Sequence, residues 1–535
     1  MRTTMEAVTA PHRRRPALGP VALLTFLAAL ATVAPRETQA QQGARVQVVE
    51  ATIGELHREM LAGRLTARAL VEAYLARIEA YDRKGPSLNA IRVVNPGALA
   101  RADSLDAELR RTGALTGPLH GIPVIVKDNY DVVGFATTAG SASLLEAMPA
   151  DDAFQVRKLR EAGAIVLAKS NMAEFAFTPY ETVGTAWHGY TFNPYALNRV
   201  TAGSSGGTAA AVAASFGTVG LGTDTGNSIR GPSAHQSLVG IRSTMGLTSR
   251  DGIVPLYLDR DVGGPMTRTV EDAVRVFDVL ARSDPADPVT READTRRPAS
   301  YLDALVDDIQ GTRIGVSREI TYTETADPEV MARFEEAVAD LRRLGAVVVD
   351  DVPIPGLDSL RRGPGCPRFR YDLENWLATL PDPPVRTLAE IEEKGDVHVT
   401  VMGRVRSFLD FEGTPEGNAD CQRSDANEEL LRQAVRRAMG EADVVALIYP
   451  TWNNPPRLVG DLDSPHGNNS ATLSPPTGFP ALTVPMGFVQ DGALPVGLQI
   501  FGDAWSEPTL ITIAYAYEQA TRHRKPPSAT PPLGR

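Results

Sequence analysis

Residues 201–228 constrain this chain more than any other stretch. Thr201-Ala-Gly-Ser-Ser-Gly-Gly-Thr208 leads into a run to Ser215 that holds nothing larger than valine, and Gly222-Thr-Asp-Thr-Gly-Asn-Ser228 follows. Gly203, Gly206 and Gly207 open backbone angles closed to other residues and let the chain approach a ligand or a neighbouring strand. The small-residue run predicts a helix over Thr208–Ser215 that packs tightly behind the loop. Its N-terminus aims free N–H groups and partial positive charge back toward Ser204 and Ser205. In Thr225-Gly226-Asn227-Ser228, consecutive backbone N–H groups can converge on one oxygen, as an oxyanion hole requires.

Other readings of this centre fail on context. Gly203-Ser-Ser-Gly-Gly207 satisfies the G-x-S-x-G pattern of a nucleophile elbow, but that turn needs a strand before it, and Asn193–Arg199 does not read as one. A phosphate-cradling loop lacks the Gly-Lys-Ser/Thr ending. A flexible linker is excluded by the alanine-rich helix on one side and the apolar run Val219–Gly222 on the other. Upstream, Gly121-Ile-Pro-Val-Ile-Val-Lys127-Asp-Asn129 ends an apolar strand on a lysine. Such a lysine usually snorkels to water or meets a carboxylate. If it is buried instead, desolvation disfavours its charged form and makes it a base near neutral pH.

The rest of the chain predicts an α/β fold. Short apolar runs at Ile122–Val126, Ala164–Ala168, Val219–Gly222, Ile314–Val316, Val347–Val349 and Val444–Ile448 alternate with helical segments such as Pro328–Leu344. A mixed central β-sheet surrounded by α-helices, in a single large domain, is the simplest account. Residues 52–82 read as a helix opened by a Thr52–Glu55 capping box, and 97–112 as a second helix. Ser283–Ser300 reads as a polar linker. Pro355–Pro384 reads as irregular, and residues 355–425 as a lid or substrate-rim insertion.

The first forty residues read as a cleaved export signal. His12-Arg-Arg-Arg15 is basic, Val21–Ala34 is an uncharged stretch of 14 residues, and Thr38-Gln39-Ala40 supplies small residues for cleavage. Fourteen residues rise about 21 Å as a helix, short of the ~30 Å needed to span a bilayer. The expectation is therefore a mature chain 41–535, periplasmic or secreted, with no stable membrane span. The formal charge of −11 becomes −14 when residues 1–40, with five Arg and two Glu, are removed. That balance, with no basic run, excludes a nucleic-acid footprint. Two cysteines, Cys366 and Cys421, cannot build a zinc site; they form either one disulfide or two buried thiols.

Together these blocks resemble the amidase signature family, which hydrolyses amides through a Ser–cis-Ser–Lys triad. Gly121–Asn129 is similar to its lysine strand, Lys169-Ser-Asn-Met-Ala-Glu-Phe175 to the segment beside the substrate, and Ala202–Gly207 with Gly222–Arg230 to the signature itself. Ser474–Pro485 and Leu494–Gly502 are similar to its C-terminal strands. The family places the bridging serine 24 residues before the nucleophile, the separation of Ser204 from Ser228.

The resemblance implies Ser228 as nucleophile, Ser204 as the cis-serine and Lys127 as base. It also implies an oxyanion hole from the N–H groups of Thr225, Gly226, Asn227 and Ser228, with Ser205, Asp224 and Arg230 as supports. Ala202 and Asn227 stand where the family usually has glycine; Asn227 is expected to narrow the acyl pocket or add a polar contact near the reacting carbonyl. No metal or cofactor is implied. The function implied is hydrolysis of the C–N bond of a small uncharged aryl or aliphatic amide, with carbamates as further candidates.

Alternative readings are a peptide C-terminal amidase, a Ser-His-Asp esterase, or a non-catalytic amidotransferase-like subunit. The esterase lacks a recognisable histidine: His57 and His523 fall in expected surface helices, and His235 reads as structural. Specificity is expected in the least family-like segments, which offer Met172, Phe175, Phe177, Tyr180, Phe369, Tyr371, Trp376 and Trp452 as substrate contacts, with few fixed charges among them. The partner is then a small-molecule amide or carbamate; oligomeric state is not legible.

Overall fold

The apolar runs become strands of one sheet and the amphipathic segments become its cover, as the alternation demands. The computed structural model describes residues 47–177 and 184–534; the expected export signal and Tyr180 lie outside them. In chain order the strands are β1 (Ile91–Val94), β2 (Pro123–Lys127), β3 (Ile165–Ser170), β4 (Gly184–Thr185), β5 (Gly189–Tyr190), β6 (Val219–Asp224), β7 (Val239–Arg242), β8 (Val262–Thr267), β9 (Arg313–Val316), β10 (Val347–Val349), β11 (Ala446–Pro450), β12 (Ala481–Val489) and β13 (Leu494–Phe501). All but the β4–β5 ribbon form an 11-stranded mixed sheet of order β1-β3-β2-β6-β8-β7-β12-β13-β11-β9-β10. Third from one side of the sheet, β2 lies parallel to both β3 and β6, so Lys127 and Asp224, the last residues of β2 and β6, emerge at the same end of these strands.

One apolar core lies around β2, β3 and β6 against helices Ile53–Leu61 and Ala67–Arg77. Another lies around β12 and β13 against Val270–Leu280, Pro328–Arg343 and Glu507–Thr521. The capping box at Thr52 is present: its hydroxyl accepts from Glu55 N–H at 3.3 Å and its own N–H donates to the Glu55 carboxylate at 3.0 Å. The helix it opens stops at Leu61, however. Gly63 takes φ +69°, and Thr66 caps a second helix by accepting from Ala69 N–H at 3.0 Å. Thus one predicted helix becomes two and a π turn, because a left-handed glycine and a fresh N-cap sit inside the periodic stretch.

Two further expectations are corrected. Ser283–Ser300 is no linker: Asp284 and Asp287 are buried, accepting from Ser249 Oγ at 2.6 Å and Arg250 Nε at 2.8 Å, and short helical turns follow. Within Pro355–Pro384, helix Phe369–Leu377 presents Phe369, Leu373, Trp376 and Leu377 to an apolar cluster that also holds Met172 and Phe175. No capping side chain marks its start, so composition rich in Pro, Gly and Arg hid a helix that tertiary contacts stabilise.

Candidate active site

The predicted small-residue helix forms over Gly206–Ala213, and every residue in it is buried. Its size limit is steric. A Cβ on Gly207 would lie 2.2 Å from Asn171 O, and one on Gly220 in β6 would lie 2.5 Å from Thr208 Cγ2. The helix is therefore wedged between β6 and the segment after β3, which fixes the loop at its N-terminus. In that loop the Gly203–Ser204 peptide bond is cis. Ser204 O accepts from Ala173 N–H at 3.1 Å, and Gly203 O accepts from Asn227 Nδ2 at 2.8 Å, so both sides of the bond are pinned.

Lys127 is wholly buried at the end of β2. Its Nζ lies 2.7 Å from Ser204 Oγ and 2.7 Å from Thr223 Oγ1, with no carboxylate in ion-pair contact among the described residues. Burial pushes its pKa down to about 7, against an upward pull from Asp224 and Asp261. Lys169, one strand over and equally buried, differs: Asp128 meets it at 2.9 Å. Of these two buried lysines, Lys127 is the one surrounded by hydroxyls, which makes it the available base.

The loop after β6 is held from three directions. Asp224 accepts from Arg230 Nε at 3.0 Å and Nη2 at 3.1 Å, and from Arg242 Nη1 at 3.3 Å, all wholly buried. Burial opposes the Asp224 charge, but the two arginines outweigh it and hold its pKa below the usual carboxylate range. Arg230 also donates to Gly226 O at 3.0 Å, to Ser470 O and to Gln499. Thr225 Oγ1 donates to Asp261, whose other oxygen accepts the N–H groups of Leu256 and Tyr257. Ser205 Oγ bridges the N–H and C=O of Thr223. The backbone N–H groups of Gly226, Asn227 and Ser228 donate to no other described residue, so a braced row of donors is left for an external oxygen.

Asn227 lines the cavity and also ties two loops together. Its amide donates to Gly203 O and its carbonyl accepts from Asn468 Nδ2 at 2.9 Å, so the side chain ties the Ser204 loop to the Ser228 loop. His57 is buried, not a surface residue, with its Nε2 3.0 Å from His120 O. His235 is buried against Trp452, ring centroids 4.6 Å apart, and burial lowers its pKa to about 3, so it stays neutral.

Ser228, 3% exposed, opens into a cavity of ≈ 320 Å³ together with Thr225, Gly226 and Asn227. The walls are Phe177, Phe369 and Phe408, mutually packed at 4.7–5.8 Å, with Tyr257, Arg260 and Arg404. Ala176 and Phe175 reach this wall through φ angles of +62° and +49°, a turn that side chains rarely adopt. Of the expected substrate contacts, Phe177 and Phe369 line the cavity. Met172 and Phe175 lie behind it in the apolar cluster; Trp376 donates to Asp131 at 3.2 Å; Tyr371 packs on Phe411; Trp452 packs on His235. Reading the sequence missed Thr223, Asn129 (which donates to Thr223 Oγ1 at 3.1 Å), Tyr257 and Arg260, whereas Arg404 and Phe408 fall in Met402–Cys421, a segment expected to carry specificity though neither residue was singled out. Thr223 had a signal, since it stands next to Asp224 on a strand parallel to that of Lys127.

Cys366 and Cys421 form a disulfide, Cα atoms 4.1 Å apart, and Cys366 lines the cavity. Closing a loop across 55 residues contributes about 4 kcal/mol in the chain-entropy model. The Cys366→Ser/Cys421→Ser protein is expected to melt at a lower temperature and to show a raised KM, because the wall carrying Cys366 and Phe369 loosens. An unchanged melting temperature and KM would show that the bond constrains nothing near the site.

Fold and site together define a hydrolase of the amidase type. A family model described as Amidase matches residues 69–511, and the chain belongs to the amidase signature family. It is 33% identical over 525 residues to a probable amidase of Arabidopsis thaliana, covering 94% of this chain and 96% of that one. It is 34% identical to one component of the glutamyl-tRNA(Gln) amidotransferase of a Synechococcus strain, covering 90% and 94%. Among solved structures, the native peptide amidase from Stenotrophomonas maltophilia superposes with a TM-score of 0.80 at 36% identity, covering 90% and 99%.

Proposed function

We propose that the protein is an exported serine amidase that cleaves a linear carboxamide through a Ser228 acyl-enzyme. The observation that carries this is Lys127, buried among hydroxyls and 2.7 Å from Ser204 Oγ, with Ser228 at the base of an open cavity. A neutral amine offers two N–H groups and one lone pair. Thr223 Oγ1 takes one N–H, and the lone pair accepts the Ser204 proton while Ser204 accepts that of Ser228. Ser228 Oγ then attacks the carbonyl carbon. The oxyanion meets the N–H groups of Gly226, Asn227 and Ser228, each such donor being worth about 3–4 kcal/mol. The relay returns the proton to the departing nitrogen, which an amide cannot expel unprotonated. Water, deprotonated through the same relay, hydrolyses the acyl-enzyme. Aromatic walls support an apolar or aromatic group beside the amide.

The Cys366–Cys421 disulfide supports export, because reducing compartments keep thiols apart. The same bond weighs against the cytoplasmic amidotransferase reading suggested by relatives such as the Synechococcus protein.

Chain 41–535, given aliphatic, aryl and peptide carboxamides and an aryl carbamate, is expected to release ammonia or amine from at least one. With hydroxylamine present it should form the acyl hydroxamate. Folded protein that turns over none of them overturns the reading; glutaminase activity alone would favour the amidotransferase role.

Replacing Thr223 by Val removes one acceptor from Lys127 and leaves Asn129 Nδ2 with only the Val254 carbonyl at 3.4 Å. An expected 10- to 100-fold fall in kcat corresponds to about 1–3 kcal/mol. Thr223 accepts an N–H that the charged form also offers, so the acid limb of the pH profile should move to lower pH. A fall in kcat with an unmoved limb would assign Thr223 to packing alone.

A further inference from the structure

Among the described residues, the cavity that reaches Ser228 is lined by two arginines and by no carboxylate, although the whole chain carries a net charge of −11. The two cations are not equivalent. Arg260 lies over the Tyr257 ring at 5.0 Å and donates through Nε to Glu428 at 2.7 Å, so its charge is matched. Arg404, on helix Val399–Ser407, is exposed, and its guanidinium makes no ion pair or hydrogen bond among the described residues. Ser228 is buried and Arg404 exposed, and both line this one cavity together with Phe177, Phe369 and Phe408.

We infer that Arg404 is a specificity-determining residue that reads a carboxylate on the substrate, at the end remote from the amide that is cleaved. This rests on the amidase reading and narrows its substrate class. Three features carry it. A guanidinium presents a planar fork of donors that matches both oxygens of a carboxylate, which an ammonium cannot do. A partly enclosed cleft with cations and no anions concentrates a negatively charged ligand. The aromatic wall of the same cavity accepts an apolar spacer, so the preferred substrate is an amide, then an apolar or aromatic spacer, then a carboxylate. Such a molecule is the half-amide of a dicarboxylic acid, or a peptide amide bearing an acidic group upstream.

The test uses neutral and carboxylate-bearing pairs: hexanamide and adipic acid monoamide, benzamide and 4-carbamoylbenzoate, acetyl- and succinyl-phenylalaninamide. Wild-type protein is expected to favour the anionic member of at least one pair by about tenfold or more in kcat/KM, chiefly through KM. Raising the ionic strength should shrink that preference. Arg404→Gln should abolish that preference by lowering kcat/KM for the anionic member at least tenfold more than for the neutral one, while Arg404→Lys restores part of it. Calorimetric binding of each pair to Ser228→Ala and to Ser228→Ala/Arg404→Gln separates the two claims. Anion-selective binding lost with Arg404, without turnover in the wild type, keeps this inference and overturns the amidase reading. Turnover with equal preference for both members keeps the amidase and overturns the inference. No binding and no turnover overturn both.

Discussion

Ser228→Ala protein is expected to fold like the parent and to lose roughly 10⁵- to 10⁶-fold in kcat, the cost of removing the nucleophile from a serine hydrolase. The fold should survive because Ser228 Oγ forms no hydrogen bond with a described residue, and the loop around it is held by Asp224, Arg230, Asp261 and Asn227 instead. Ammonia release by the purified variant, set beside its thermal melt, measures both halves of the claim. Activity within 100-fold of the parent would move the nucleophile elsewhere. Ser204 would then be the next serine to replace, since it is the one that touches Lys127.

Lys127→Met is expected to abolish turnover and yet to stabilise the protein near neutral pH. The wild-type lysine has a folded pKa of about 7, below its unfolded value of about 10.4. Between these values the unfolded chain binds the extra proton, so stability rises with pH across that window. Below pH 7 the full penalty applies, on the order of 4 kcal/mol. Methionine removes it but strands a partner of Ser204 and of Thr223, at about 1 kcal/mol each, which leaves a gain of about 2 kcal/mol at pH 6. By pH 10 the gain should vanish or reverse. In the wild type, kcat/KM should climb tenfold per pH unit up to about 7 and then level, as the neutral amine becomes populated. Denaturant midpoints at pH 6 and 10 and a pH–rate profile check both signs. A variant less stable than the parent at pH 6 would mean that Lys127 is not desolvated in the folded protein.

How far the sequence alone reached varies along the chain. The strands around the site were legible within a few residues, because β2, β3 and β6 are covered on both faces and read as unbroken apolar runs. Lys127, Ser204 and Ser228 stood out through the resemblance to the amidase signature family, in which Ser204 and Ser228 keep the 24-residue spacing and Lys127 ends the apolar strand. Helix Phe369–Leu377 was not legible: its stability comes from Met172, Phe175 and Leu144, which share no local pattern with it. The tie that the Asn227 side chain makes was not legible for the same kind of reason. Its partners, Gly203 and Asn468, come from loops that only folding brings together.

By itself, then, the sequence determined the local backbone around the proposed reacting centre. The glycines and small side chains of 201–228 and the apolar strand ending in Lys127 restrict which groups can approach one another, and that restriction is local. The cavity was decided by tertiary structure alone. Its wall draws Phe177, Tyr257 with Arg260, Cys366 with Phe369, and Arg404 with Phe408 from separate stretches of chain. Burial and ion pairing, which carry the proposal that Lys127 is the base and which match Arg260 with Glu428 but leave Arg404 without an ion pair among the described residues, depend on what surrounds a side chain in space.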